Sequence, residues 1–182
     1  MKQILSAAEL ERSLSRMAYQ LAERFEDVAH PCLVGIHTGG VPLARRLSER
    51  VGEILGEIPP VGEIDITLYR DDLYTGLEKP ILGETRLPFR VTGASVVLVD
   101  DVLFTGRTIR AAMDELMDYG RPAQIEVAAL IDRGHRELPI YAAYVGRAVA
   151  TEKGDRVTVR LSETGASEDG AWISIADQAE RT

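Results

Sequence analysis

In VVLVDDVLFTGRT, residues 96–108, four apolar β-formers run straight into two carboxylates, and a loop of hydroxyls, glycine and arginine follows. Adjacent carboxylates repel each other and repel anions, so Asp100 beside Asp101 needs a neighbour that donates, such as vicinal hydroxyls or a divalent cation. Thr105, Gly106, Arg107 and Thr108 then lead into a helix. The unpaired N–H groups and positive dipole of a helix start favour a phosphate monoester. The threonine hydroxyls add donors, and Gly106 lets the backbone close in. A ribose 5-phosphate satisfies the whole set, its diol on the acids and its phosphate on the loop. An isolated acid pair would read more simply as a strand end capping a turn, or as a response-regulator-like acidic site. Neither reading accounts for the TGRT loop. No G-x-x-x-x-G-K-[ST] pattern occurs, which excludes a Walker-type nucleotide site.

Parallel strands covered by helices are what must position these groups. CLVGI (32–36) is a short buried strand ending in the loop HTGG (37–40), after which Val41-Pro42 opens a helix carrying Ala44, Leu47 and Val51. VVLV (96–99) and IEVAALI (125–131) are further buried strands, with a helix from Arg107 to Tyr119 between them, closed by Gly120 and Pro122. EIDITLY (63–69) and RVTVRL (156–161) alternate as half-buried strands do. Ser6 followed by Glu9 predicts a capped helix whose apolar face is Leu10, Leu14, Met17, Leu21, Phe25 and Val28. The irregular stretch 70–94 is long for a compact domain and predicts a functional loop or lid. In such α/β sheets ligands sit at the carboxyl ends of strands, where HTGG and DDVLFTGRT both fall.

Composition sets the outer limits. The chain has 182 residues, 45% of them hydrophobic, which fits one domain with a proper core. Its net charge of −8 argues against indiscriminate nucleic-acid binding without excluding a local basic face. The single Cys32 cannot form an internal disulfide and reads as a buried apolar group in a reducing compartment. MKQILSAAELERSL reaches acidic residues too early for a signal peptide, and no run of about 18 apolar residues is present. The expectation is a cytoplasmic protein with no membrane partner.

VVLVDDVLFTGRT resembles the 5-phosphoribosyl-1-pyrophosphate (PRPP) motif of type I phosphoribosyltransferases. LVGIHTGGVPLARRL, VGEIDITLYRDDL and LIDRGHRELPI widen the likeness over roughly residues 5 to 161. They resemble the branch of bifunctional pyrimidine-operon mRNA-binding attenuation regulators and uracil phosphoribosyltransferases. The resemblance implies an α/β type I phosphoribosyltransferase fold in one domain, 1–182: a mainly parallel sheet flanked by helices, a flexible hairpin lid over 70–94, and a base-binding hood with the C-terminal strand in 132–161. It implies that Asp100 and Asp101 hold the ribose 2- and 3-hydroxyls, above strand residues Val97, Leu98 and Val99. Val102, Leu103, Phe104, Thr105, Gly106, Arg107 and Thr108 would wrap the 5-phosphate. Thr38, Gly39 and Gly40 would form the pyrophosphate loop, where a strained or cis peptide is common in the family. Arg70 and Arg86 are implied anion contacts, Arg86 as a catalytic residue beside Asp100 and Asp101, and Asp132, Arg133 and Val157 would receive the base.

The implied reaction is attack of uracil N1 on ribose C1, giving UMP and expelling pyrophosphate, with Mg²⁺ accompanying PRPP near Asp100 and Asp101. Purine-type members often carry an acid where this loop has Phe104, which favours a pyrimidine. The branch also binds a leader mRNA stem-loop in response to UMP or UTP. Arg12, Arg16, Arg24, Arg136, Arg147 and Lys153 are the implied RNA contacts, with Arg133 and Arg156 as further basic positions. A homodimer or higher homo-oligomer would gather them on one surface. The alternatives are a pyrimidine-salvage phosphoribosyltransferase with no RNA role, or an effector-binding module whose catalysis has decayed.

Overall fold

The computed structural model describes residues 1–66 and 84–175. Strands β2 (Pro31–Ile36), β3 (Val61–Ile64), β4 (Ser95–Leu103), β5 (Gln124–Asp132) and β6 (Tyr144–Ala148) form a parallel sheet in the order β3-β2-β4-β5-β6. Helices α1 (Ala7–Glu26) and α2 (Gly40–Leu55) cover one face and α3 (Arg107–Asp118) the other. The strand period of two sorts the core accordingly. Leu33, Val97, Val99 and Leu130 pack with α1 and α2, while Val34, Val96, Leu98 and Ala129 pack with α3.

Local chemistry accounts for the helices. Ser6 Oγ accepts the Glu9 N–H at 3.4 Å and the Glu9 carboxylate accepts the Ser6 N–H at 2.9 Å, which completes the capping box expected at α1. Leu10, Leu14, Met17, Leu21 and Phe25 are buried as the helical period requires. At Gly35 an added Cβ would lie 2.4 Å from the Val41 Cα, so this strand glycine is what lets α2 seat directly against β2.

Three expectations change. β4 does not stop at Val99 but runs through both acids to Leu103, because β5 continues to pair with it as far as Leu103–Asp132. β7 (Arg156–Arg160) leaves the parallel sheet altogether. It joins β1 (Lys2–Leu5) and β8 (Gly170–Ser174) in a small antiparallel sheet ordered β1-β8-β7. The expected strand 63–69 is seen as Val61–Ile64; its last residues, 67–69, lie outside the described residues, as do 176–182.

The segment 70–94 divides. Arg70 and the rest of 70–83 lie outside the described residues. The part from 84 onward is docked rather than free: Glu63 and Arg86 exchange two backbone hydrogen bonds of 2.8 Å, the Thr85 hydroxyl donates to Glu115, and Val91 and Ala94 are buried. A lid therefore does not extend to residue 94. Among the described residues no helix is long and apolar enough to cross a membrane.

Candidate active site

The two loops singled out in the sequence meet at the carboxyl ends of β2 and β4. A Cβ placed on Gly39 would fall 2.5 Å from Asp101 Oδ2, and one on Gly40 would fall 2.1 Å from the Val99 carbonyl oxygen. At Gly40 the obstacle is backbone and only glycine fits, while at Gly39 it is the Asp101 side chain, so the loop after β2 lies directly against the acid pair. Thr38 enters this loop through a cis His37–Thr38 peptide. His37 Nε2 stands 3.4 Å from the Glu63 carboxylate, which also holds Arg45.

Asp100 is 6% exposed and Asp101 is partly buried beside it. Asp100 Oδ1 accepts the Asp101 N–H at 3.0 Å, and Asp101 Oδ1 accepts the Val102 N–H at 2.8 Å. Burial, with the charge of Asp101 added, pushes the Asp100 carboxyl well above the usual carboxylate range; burial raises Asp101 as well. An acid pair so placed gains by meeting hydroxyl donors or a cation.

Past Leu103 the chain turns through Gly106, whose left-handed φ of 93° a side chain would strain, into the first turn of α3. Thr105 Oγ1 accepts the Arg107 N–H at 3.3 Å, tightening the turn. Its carbonyl accepts the N–H groups of Glu137 and Leu138 at 3.0 and 3.1 Å. The Arg107 guanidinium bonds Glu137, which Lys153 also reaches at 3.3 Å. Val97, Leu98 and Val99 are buried with their side chains in the core, so they support the site through backbone.

Around the loop that follows β5, Arg133 is 6% exposed and its guanidinium stacks 3.9 Å from the Phe104 ring centroid. It also donates to the carbonyls of Glu152 and Lys153. His135 meets the same ring edge-on and shares a 2.7 Å hydrogen bond with the Thr151 carbonyl. Asp132 accepts from Gly134 N–H and Arg136. Val157 is buried in the core cluster that α1 and α2 share. A base reaching this region would therefore meet backbone groups and the Phe104 face rather than free charges of Asp132 or Arg133.

The expected anion and RNA contacts sort unevenly. Arg86 is exposed and bonds Glu84. Arg16 donates to the carbonyls of Val145 and Gly146, and Arg24 to Glu126 and Gln124. Arg147 lies 3.3 Å from Glu9 on an exposed surface, and Arg12 is exposed. Arg136 differs from the others: its side chain is 12% exposed and turned inward, bonded to Asp132 and to main-chain carbonyls. The backbone donors of Glu137 and Leu138 that hold the turn at Thr105 leave no trace in the sequence, because side-chain identity carries no signal for a main-chain N–H. Cys32 is buried as expected, which pushes its thiol up to about 12. A cavity of about 770 Å³ lies at the opposite, amino end of the sheet, lined by Phe25, Leu55, Pro59 and Phe89 among others, far from these acids in the fold.

The phosphoribosyl transferase domain matches residues 1–159. The bifunctional protein PyrR of Pelotomaculum thermopropionicum is 53% identical over 175 residues, covering 96% of this chain and 97% of the relative. That of Chloroflexus aurantiacus is 55% identical over 163 residues, covering 90% of each. This chain belongs to the phosphoribosyl transferase family, in its bifunctional PyrR branch. The branch keeps a type I phosphoribosyltransferase fold here. A crystal structure of a hypoxanthine-guanine phosphoribosyltransferase from Bacillus anthracis matches with a TM-score of 0.72 over 97% of this chain and 99% of that one, at 18% identity. A hypoxanthine phosphoribosyltransferase from Trypanosoma cruzi gives 0.72 over 100% and 98%, at 17% identity. At those identities the likeness establishes the fold alone.

Proposed function

We propose that this PyrR-branch protein regulates a pyrimidine-biosynthesis operon by uridine-nucleotide-dependent binding to its leader mRNA, and that it converts uracil and PRPP to UMP and pyrophosphate. The observation that carries the enzymatic half is the contact between two glycines and the acid pair: the HTGG loop closes directly on Asp101 and the end of β4. A diol acceptor, a phosphate cradle and a second anion loop then share one rim of the sheet.

The chemistry follows from this placement. Asp100 and Asp101 accept the ribose hydroxyls and stabilise positive charge that develops on the sugar as C1 parts from pyrophosphate. The N–H groups of Thr105, Gly106 and Thr108 hold the 5-phosphate, so C1 is fixed relative to the base. Backbone of the loop 37–40 faces the leaving group. Uracil N1 attacks C1, the C1–O bond to pyrophosphate breaks, and the N1 proton leaves to solvent. Phe104 offers no carboxylate for a purine ring nitrogen, which favours the pyrimidine.

The donor set suits Mg²⁺ carried with PRPP, because Asp100 and Asp101 supply oxygen ligands. Asp100 and Asp101 would hold the ion jointly with the substrate's oxygens. When bound it neutralises charge on the leaving pyrophosphate.

For RNA, Arg12 and Arg147 are the exposed contacts, joined by Lys153 and by whatever Arg16 and Arg24 offer beyond their internal bonds. A homodimer in the cytoplasm would bring two such sets together and offset the −8 charge of the chain. Uracil-plus-PRPP turnover and a gel shift with the leader stem-loop, with and without UMP, test the two halves separately. A scrambled stem-loop bound equally well at the same salt would leave only a salvage phosphoribosyltransferase.

A further inference from the structure

Every main-chain carbonyl from Leu103 to Thr105 is taken up by the loop that follows β5. Leu103 O accepts the Arg133 N–H at 3.1 Å, and Thr105 O accepts the Glu137 and Leu138 N–H groups. Between them, Phe104 O accepts from Arg136 Nη1 at 2.6 Å. Arg136 is the one side chain among these donors. Its other bonds stay within its own loop: Nε to Ile140 O at 2.9 Å, Nη1 to Gly134 O at 3.1 Å, and Nη2 to Asp132 Oδ2 at 2.5 Å. The Ile140 Cβ in turn sits 3.2 Å from where a Gly106 Cβ would be.

A peptide's carbonyl and N–H point in opposite directions when the bond is trans, and among the described residues His37–Thr38 is the cis bond. Holding the Phe104 carbonyl toward Arg136 therefore turns the Thr105 N–H the other way, to the side where the 5-phosphate binds. Released, that carbonyl would be free to rotate into the cradle and set a negative dipole against a phosphate. We propose that Arg136 is a positioning residue for the phosphoribosyl site, a clamp that fixes the Phe104–Thr105 peptide so the cradle presents donors only. By the same bonds it makes the phosphate loop and the base loop one unit, so filling one presets the other. This rests on the PRPP reading of the site and does not depend on the base being uracil.

The test compares Arg136→Ala and Arg136→Lys with the unaltered full-length chain. Ribose 5-phosphate affinity is read by calorimetry, and KM for PRPP and kcat by uracil turnover. Thermal midpoint and stem-loop affinity without nucleotide complete the set. Arg136→Ala is expected to weaken ribose 5-phosphate binding about 10–100-fold, the range for a hydrogen bond from a charged donor. KM for PRPP should rise more than kcat falls. Arg136→Lys should recover part of the loss, since an ammonium reaches one carbonyl but not the whole set of acceptors; it also carries the test if the alanine variant does not fold. Weaker RNA binding with unchanged ribose 5-phosphate affinity would overturn the proposal, as would a fall in kcat and thermal midpoint together with KM unmoved. If the unaltered chain binds ribose 5-phosphate but turns over no uracil, the uracil reading fails and the binding comparison still decides the role of Arg136. If it binds no ribose 5-phosphate, both fall.

Discussion

Two nearly buried arginines, one on α2 and one in the loop after β5, do different jobs with the same guanidinium. Arg46 on α2 is 14% exposed and reaches Glu163 with Nε and Nη2 at 2.7 and 2.6 Å, Asp169 with Nη1 at 2.5 Å, and Glu11 at 3.5 Å. It ties α1 and α2 to the turn between β7 and β8. Its acceptors are mainly carboxylates. Arg46 holds Glu163 below the usual carboxylate range. Asp169 is lowered too: burial works against it, but bonds from Arg46 and the Ser162 N–H prevail. The acceptors of Arg136 are three main-chain carbonyls and one carboxylate. Carboxylates titrate and are screened by salt; carbonyls do neither. The Arg46 junction is thus a pH-dependent brace for the architecture, whereas the Arg136 junction fixes the direction of a single peptide.

Substitutions can break this contrast or sharpen it. The largest effect belongs to the site that Arg136 serves: Asp100→Asn with Asp101→Asn should lower turnover by about 10³-fold or more, measured with uracil and PRPP. The same double variant should be the more stable chain at neutral pH. A carboxyl whose folded pKa is raised favours the folded state in its protonated form, so its ionisation costs stability as pH rises through that pKa. Removing the charge should raise the thermal midpoint by about 2–4 °C for each 1 kcal/mol recovered. A drop in both activity and midpoint would contradict the site.

Gly40→Ala comes next. Its Cβ would meet the Val99 carbonyl, which is backbone and cannot swing aside. Loss of PRPP affinity of about 10²-fold, seen as a raised KM, is expected. Arg46→Ala should then lower stability by about 2 kcal/mol, a figure below that for a fully buried pair because Glu163 is partly exposed, with kcat unchanged. Glu163 and Asp169 are held low, so this stabilisation is complete above the ordinary carboxylate range and is lost as pH falls through their lowered values. Denaturant titrations of the two chains should converge below about pH 4. A kcat loss in Arg46→Ala would erase the distinction between the two arginines. The smallest effect is expected of Arg147→Ala: RNA affinity a few-fold weaker, and a log K against log salt slope shallower by about 1, with uracil turnover intact.

Much of this was visible in residue order. Ser6 and Glu9 announce the start of α1, and DDVLFTGRT announces an acid pair followed by a tight turn into a helix, because caps and turns depend on neighbours within a few residues. The full length of β4 is hidden in the sequence because Asp100 breaks the apolar run, whereas its extension to Leu103 is set by pairing with β5. β7 alternates like any half-buried strand, and nothing local says which sheet it joins. β1 and β8 are four and five residues long and carry too little pattern to stand out. Arg136 was legible as a cation, but its inward turn depends on carbonyls far along the chain at Phe104. Local signals travel with the sequence; the direction of a long side chain is decided by partners it has not yet met.

The small sheet places its last-made strand in the middle. β8 lies between β1 and β7, and Leu5 pairs with Ala171. On a ribosome adding about 5–20 residues per second, β1 leaves the tunnel and waits on the order of 8–30 s for β8, its strand partner among the described residues. The acid pair, the cradle and β5 are all made in that interval. A nascent chain therefore owns the floor of the proposed sugar-phosphate site before the small sheet can close, and a stall before residue 170 would leave β1 and β7 with bare edges open to other chains.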